Sequence, residues 1–269
     1  MPRAKDLVHA RTQHHRVTVH RNHRGKVRGM HHASLLTPVG KTAHFEISYL
    51  TKLRSKGAKF AEAILENCEH DYEILSKFFG GLTPKHMPFV VEVTADNSGA
   101  SHSSCMGTDI AVGANSGTKI DLMRSLMVAE ADEVFMANFG RGWNCGASTG
   151  EGLSRVLANV MYPGGEVADF IASNSWLNLK SRPNWVTRTD PSDTHYRSLG
   201  CSVLFLNWLR FQHDYSWEKI IAAGGRTLNS TYLHLTGKRT AWEDFTAFMD
   251  AHFPRGRTYR LKTDNPFPL

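Results

Sequence analysis

Glu130 and Glu133 stand three positions apart in the apolar run of residues 127–136, and a third acid, Glu151, lies in Gly150-Glu151-Gly152-Leu153-Ser154. On a helix that spacing puts two side chains on one face. Carboxylates facing apolar helices are costly to bury unless they bind a cation, share protons or accept specific hydrogen bonds. Three of them around one hollow repel each other, so at least one is expected to hold its proton toward neutral pH. That would place an acid beside a base. With Asp132 or Asp109 the same groups would suit a hard divalent ion such as magnesium, calcium or manganese. The non-catalytic alternative pairs Glu130 and Glu133 with Arg124, Arg141 or Arg155 as a structural ion network.

A second constellation is His102, Cys105 and Cys145, two loop segments that could meet over a cleft. Together they would hold zinc or make a thiolate with a histidine base; otherwise they are inert thiols. His195 and Tyr196 open an apolar helix and are candidates to donate a hydrogen bond to a developing oxyanion, the alternative being that Tyr196 only packs its ring. Trp143, Asn144 and Ser148 precede Glu151 and, with His102, are the expected substrate-binding groups. Trp143 and Trp185 would either stack on a substrate or close a core. Gly146-Ala147-Ser148-Thr149-Gly150 has the G-x-S-x-G spacing but follows a helix and a turn, where a nucleophile elbow follows a strand, and no glycine pair belongs to a phosphate loop, so serine-hydrolase and nucleotide-binding readings have little support.

The elements that would position these groups are legible from periodicity. Residues 15–32 read as a β-hairpin, 42–50 as a strand, and 56–79 as one helix with Phe60, Ile64, Cys68, Tyr72, Leu75 and Phe79 on a shared face. Residues 88–94 read as a buried strand, 95–107 as a loop and 108–112 as a short strand. A helix then carries Glu130 and Glu133, and 140–149 form a turn. Helices follow at 150–161, 169–179, 196–211, 217–223, 227–235 and 242–252, with a polar loop at 181–193. Strands first and helices after is an α+β layout, a small mixed sheet beside a mainly helical lobe. The organisation expected is a basic β-hairpin arm and strand at 1–50, a main domain at 51–254 and a tail at 255–269.

The formal charge of +7 sits at the amino end. Residues 1–32 hold eight Lys/Arg against Asp6, and the remaining 24 basic residues balance 24 acids. Seven of the fifteen histidines lie there too: His9, His14, His15, His20, His23, His31 and His32. Such an arm would dock on an anionic partner such as nucleic acid, or pack on a neighbouring copy in a homo-oligomer. No aromatic residue is interleaved with the charges, which favours a solvated or packing arm over single-strand binding. No apolar run approaches a membrane span, and the first residues lack the apolar core of a secretory signal. Four scattered cysteines, none in a C-x-x-C pair, suit free thiols in a reducing compartment, so a cytoplasmic protein is expected, two disulfides in an exported one being the alternative.

The order of elements and the Gly150–Ser154 motif resemble the gluzincin branch of the zincin metallopeptidases, over residues 56–254. The resemblance implies a zincin-like α+β domain, a cleft along the strand, loop and edge strand of 88–112, and Glu151 as the third-ligand glutamate. It places Glu130 on the general-base position of the HExxH helix, with Ala129 and Glu133 where the two histidines would stand. What it implies is a hydrolase or lyase acting on a peptide or small molecule through Glu130, Glu133 and Glu151, with a divalent metal (manganese, magnesium, calcium or zinc) or with none. The alternative is a pseudo-peptidase that binds a peptide or an anionic partner without reacting.

Overall fold

The computed structural model describes residues 36–95, 99–114, 118–164, 171–191 and 195–269. The hairpin expected at 15–32 and the basic, histidine-rich arm lie outside the described residues. The molecule is α+β. Strands β1 (Leu36–Lys41), β2 (Phe45–Leu50), β3 (Phe89–Thr94), β4 (Ala100–His102) and β5 (Asp109–Gly113) form one mixed sheet in the order β1-β2-β3-β5-β4. Strands β1 and β2 make an antiparallel hairpin, β2, β3 and β5 run parallel, and β4 returns antiparallel to β5 at the edge. The 36–50 hairpin is thus the outer part of the domain's own sheet.

Between β2 and β3 come α1 (Arg54–Leu65) and α2 (Cys68–Phe78). These replace the single helix expected over 56–79. The break falls at Asn67, whose backbone leaves the helical region and whose side chain donates to the Ala63 carbonyl. Phe60, Ile64, Cys68, Tyr72 and Leu75 stay buried on both sides of it, which is why apolar spacing did not register it. Strand β4 is the other departure, a three-residue strand inside the expected 95–107 loop. Ala-Ser-His carries no alternating apolar pattern, and backbone pairing to β5 holds it, with His102 opposite Ile110.

One face of the sheet is buried. Phe89, Val91 and Val93 of β3 point inward while Val90 is exposed. Against that face lies α3 (Ile120–Phe139), whose Phe135 ring sits 5.6 Å from those of Tyr72 and Phe79 and 6.3 Å from that of Phe89. Helix α3 is buried along most of its length and stops at Gly140, whose left-handed φ of 70° suits a helix-ending glycine.

The helical lobe is α4 (Ser148–Met161), α5 (Ala172–Leu177), α6 (Tyr196–Asn207, continuing as a π-turn to Gln212), α7 (Trp217–Ala222), α8 (Leu228–Thr236) and α9 (Ala241–His252). Its core is aromatic: Trp208, Phe205, Tyr232 and Phe245 pack ring on ring. Two glycines of α4 set the geometry of the site. A Cβ on Gly152 would stand 2.6 Å from Ser202 Cβ of α6, so the two helices touch backbone to side chain. A Cβ on Gly150 would stand 2.1 Å from the Asn144 carbonyl oxygen, so the turn bearing Cys145 lies directly on α4. The C-terminal segment is docked rather than trailing: buried Asp264 accepts from Arg155 Nε at 2.7 Å and from Ser173 N at 2.8 Å. No helix among the described residues is long and apolar enough to cross a membrane.

Candidate functional site

Glu130 and Glu133 project from one face of α3 toward His102 at the end of β4. His102 Nε2 lies 2.9 Å from Glu133 Oε2 and 3.6 Å from Glu130 Oε2. The His102 and Glu133 side chains are only 6% and 8% exposed, whereas Glu130 keeps 18%, which puts Glu130 at the mouth. His102 Nδ1 contacts the Ser104 carbonyl. A carbonyl only accepts, so Nδ1 carries the hydrogen and donates it, and Nε2 faces the carboxylates. A hydrogen bond from Nε2 to Glu133 at 2.9 Å then needs a proton between the two atoms. The pair is therefore either imidazolium–carboxylate or imidazole–carboxylic acid, one proton shared at a fixed place.

Helix α4 closes the other side. Ser154 Oγ lies 3.4 Å from Glu133 Oε1 and 3.2 Å from the Glu151 carbonyl, one hydroxyl proton serving either acceptor. Glu151 turns its Oε1 to the start of its own helix, where it accepts from Gly146 N at 3.1 Å. It thus ties the 140–149 turn to α4, while Glu130 and Glu133 are the carboxylates that converge on the imidazole. The same turn is bonded to the sheet edge, for Cys105 and Cys145 form a disulfide with Cα atoms 5.7 Å apart. This corrects the expectation of four free thiols. The two cysteines that stay free, Cys68 and Cys201, are buried, and burial pushes the Cys201 thiol up to about 12. One nitrogen of His102, one oxygen of Glu133 and the sulfur of Cys145 all lie within 4.8 Å of one another.

Beyond α4 is a second polar pair. Asp190, buried in the 181–193 loop, accepts from Ser198 Oγ at 3.0 Å and stands 2.7 Å from His195 Nδ1, while the His195 ring is 66% exposed. Asp190 is fixed in turn by Ser148, with Asp190 N donating to Ser148 Oγ at 3.1 Å and Ser148 N donating to the Asp190 carbonyl at 2.9 Å. A buried carboxylate, tied to Ser148 at the start of α4, thus holds an exposed imidazole.

Several expected site residues are placed otherwise. Trp143 is buried and donates its indole N–H to Ile221 O at 3.0 Å, so it closes the core and does not line a binding surface. Ser148 is buried in the Asp190 contact, Asn144 is exposed, and Tyr196 is half-buried against the core. Asp109 is exposed and accepts from Ser103 Oγ at 2.6 Å. Asp132 is fully buried with no hydrogen-bond partner for either oxygen among the described residues, and burial pushes its carboxyl well above the usual carboxylate range. Neither aspartate joins the Glu130–Glu133 pair on His102. Arg124 reaches Tyr162 and Asp71, and Arg155 reaches Asp264.

Sequence reasoning missed Asp190 and Ser154, and it set His102 among the substrate-binding groups and beside Cys105 and Cys145, apart from Glu133. The available signal was polar residues next to the expected helix starts: Asp190 stands five residues before His195, and Ser154 one turn after Glu151. No family model, curated protein or solved structure matches the chain.

Proposed function

We propose that this chain is a hydrolase of the zincin kind that acts on extended, peptide-like substrates in the hollow between the β4 edge and the α3–α4 pair. The observation that carries this reading is the approach of two carboxylates, Glu130 and Glu133, to one nitrogen of a buried histidine, 3.6 and 2.9 Å away.

Strand β4 pairs on one side only among the described residues, so its outer edge can accept an extended chain by main-chain hydrogen bonds. A substrate bound there runs past His102, the last residue of the strand. Glu130, the most open of the three groups, takes a proton from the attacking water and returns it to the leaving group. His102 and Glu133 hold their shared proton beside it and fix its position. His195, aimed by Asp190, donates a hydrogen bond to the oxygen that gains charge. In place of that shared proton, His102 and Glu133 would hold a zinc ion of the sort such scaffolds use, with Cys145 as a third donor once its disulfide opens, a nitrogen, oxygen and sulfur set that suits the metal. When bound it would supply a Lewis acid and an acidified water.

Ala129, where the first histidine of the motif would stand, favours a second reading, a protein that holds a peptide in the same cleft and leaves it intact. A peptide library incubated with wild type and with Glu130→Gln, read by mass spectrometry, separates the two. A hydrolase gives cleavage products that fall by about 100-fold or more in the variant, the range of a lost acid–base group. A binder retains peptides and yields no products from either protein.

A further inference from the structure

The disulfide and the buried histidine occupy one place. Cys105 leaves the strand that ends in His102, Cys145 leads into α4, and the bond between them brings the Cys145 sulfur within 4.8 Å of both the His102 nitrogen and a Glu133 oxygen. Donor atoms around one tetrahedral zinc stand about 3.3–3.8 Å apart, given metal–ligand bonds of about 2.0–2.3 Å. The Cys145 sulfur therefore needs to move in by only about 1 Å, His102 Nε2 and Glu133 Oε2 already standing 2.9 Å apart. His102 is oriented as metal-bound histidines are, with Nδ1–H on the backbone carbonyl of Ser104 and Nε2 facing the other donors. Glu130, at 3.6 Å from the same nitrogen, stands beside the set.

Two things keep that set from holding a metal as it stands: the Cys145 sulfur is covalently engaged, and a proton that zinc would displace lies between His102 Nε2 and Glu133. We propose that the Cys105–Cys145 disulfide is a redox gate on a zinc site formed by His102, Glu133 and Cys145. In the oxidised chain the sulfur is a poor donor and the site offers one nitrogen and carboxylate oxygens. A dithiol reductant opens the gate. Its thiolate attacks the disulfide, the S–S bond breaks, the two electrons pass to the cysteine sulfurs, which take up two protons, and the reductant's own sulfurs join as a disulfide. Cys145 then releases its proton, and the His102–Glu133 pair releases the one they share, as the three coordinate zinc, and Cys105 remains a free thiol. Reduction thus adds the thiolate that completes a nitrogen, oxygen and sulfur shell. This inference does not depend on turnover, since the site would fill or stay empty whether or not the cleft hydrolyses anything.

The experiment uses the full chain in three forms: oxidised wild type, Cys105→Ser and Cys145→Ser. The two variants both lack the cross-link, so any loosening of the fold is matched between them, and thermal unfolding confirms that each is folded. Cys105→Ser carries a free Cys145 without added reductant. Each is titrated with cobalt(II) followed by absorbance and with zinc in competition against a chromogenic chelator. Cys105→Ser is expected to bind one equivalent and show a thiolate-to-cobalt charge-transfer band. Oxidised wild type and Cys145→Ser are expected to bind more than about 100-fold more weakly and show no such band, since even outer-shell changes cost roughly 10–100-fold. His102→Ala placed on Cys105→Ser should abolish the band. The proposal is overturned if Cys105→Ser gives no thiolate band, if Cys145→Ser binds as tightly, or if oxidised wild type binds zinc as well as Cys105→Ser.

Discussion

Asp132 offers a sharp physical test because it sits between Glu130 and Glu133 in sequence but faces elsewhere. It is fully buried and neither oxygen has a partner among the described residues, so folding favours the protonated carboxyl. The folded chain binds this proton more tightly than the unfolded one. Stability from this group is therefore complete below the unfolded pKa of about 3.9 and is lost as pH rises. The loss runs at about 1.4 kcal/mol per pH unit until the folded carboxyl itself ionises. Asp132→Asn keeps nearly the same shape and cannot titrate. Its unsatisfied amide costs roughly what the neutral unsatisfied acid costs, about 1–3 kcal/mol, so the two proteins should be similar near pH 4. Urea unfolding of both from about pH 4.5 to about pH 7.5 reads the difference, and all other titrating groups cancel because both chains share them. The gap should widen with pH, the variant becoming the more stable. Parallel stability curves would mean that Asp132 takes up no extra proton on folding, and a variant that loses ground as pH rises would mean that its carboxylate is stabilised by folding.

Two further perturbations test what holds the site. Asp264→Ala leaves Arg155 without its 2.7 Å carboxylate partner in the core and should cost about 3–5 kcal/mol by chemical denaturation. A change below about 1 kcal/mol, the level of an exposed pair, would mean that the C-terminal segment is not docked as described. Replacing both Cys105 and Cys145 by serine removes a cross-link between positions 40 residues apart and should lower stability by up to about 4 kcal/mol, the loop-closure value for that length. No shift in the denaturation midpoint on reducing the wild type would contradict a formed disulfide.

How much of this was legible beforehand depended on whether apolar pattern or backbone pairing carried the signal. The α3 face was readable, since Glu130 and Glu133 share a side by spacing alone and Gly140 marks the helix end. The Gly150–Ser154 motif was readable as a helix start, and its glycines now have a reason in the contacts with Asn144 and Ser202. Strand β4 was not readable, because Ala100, Ser101 and His102 have no apolar alternation and are held by hydrogen bonds to β5. With β4 hidden, the contact of His102 with Glu130 and Glu133 was hidden too, although its place beside Cys105 and Cys145 was read. Asp190 was missed for a related reason. Its partners Ser148 and His195 come from two different elements, and only the packing of α4 beside α6 brings them together. Trp143 shows the reverse error, an indole next to a site in sequence whose ring turns into the core.

The measurement that bears most directly on the central claim is turnover and affinity of Glu130→Gln on a single peptide selected from the library. The carboxylate at the mouth, 3.6 Å from His102 Nε2, is taken as the proton acceptor. Turnover should fall by about 100-fold or more while the dissociation constant stays within a small factor, since the amide keeps the size of the acid and loses only its basicity. Undiminished turnover in the variant, or a wild type that binds the peptide and never cleaves it, would contradict the account.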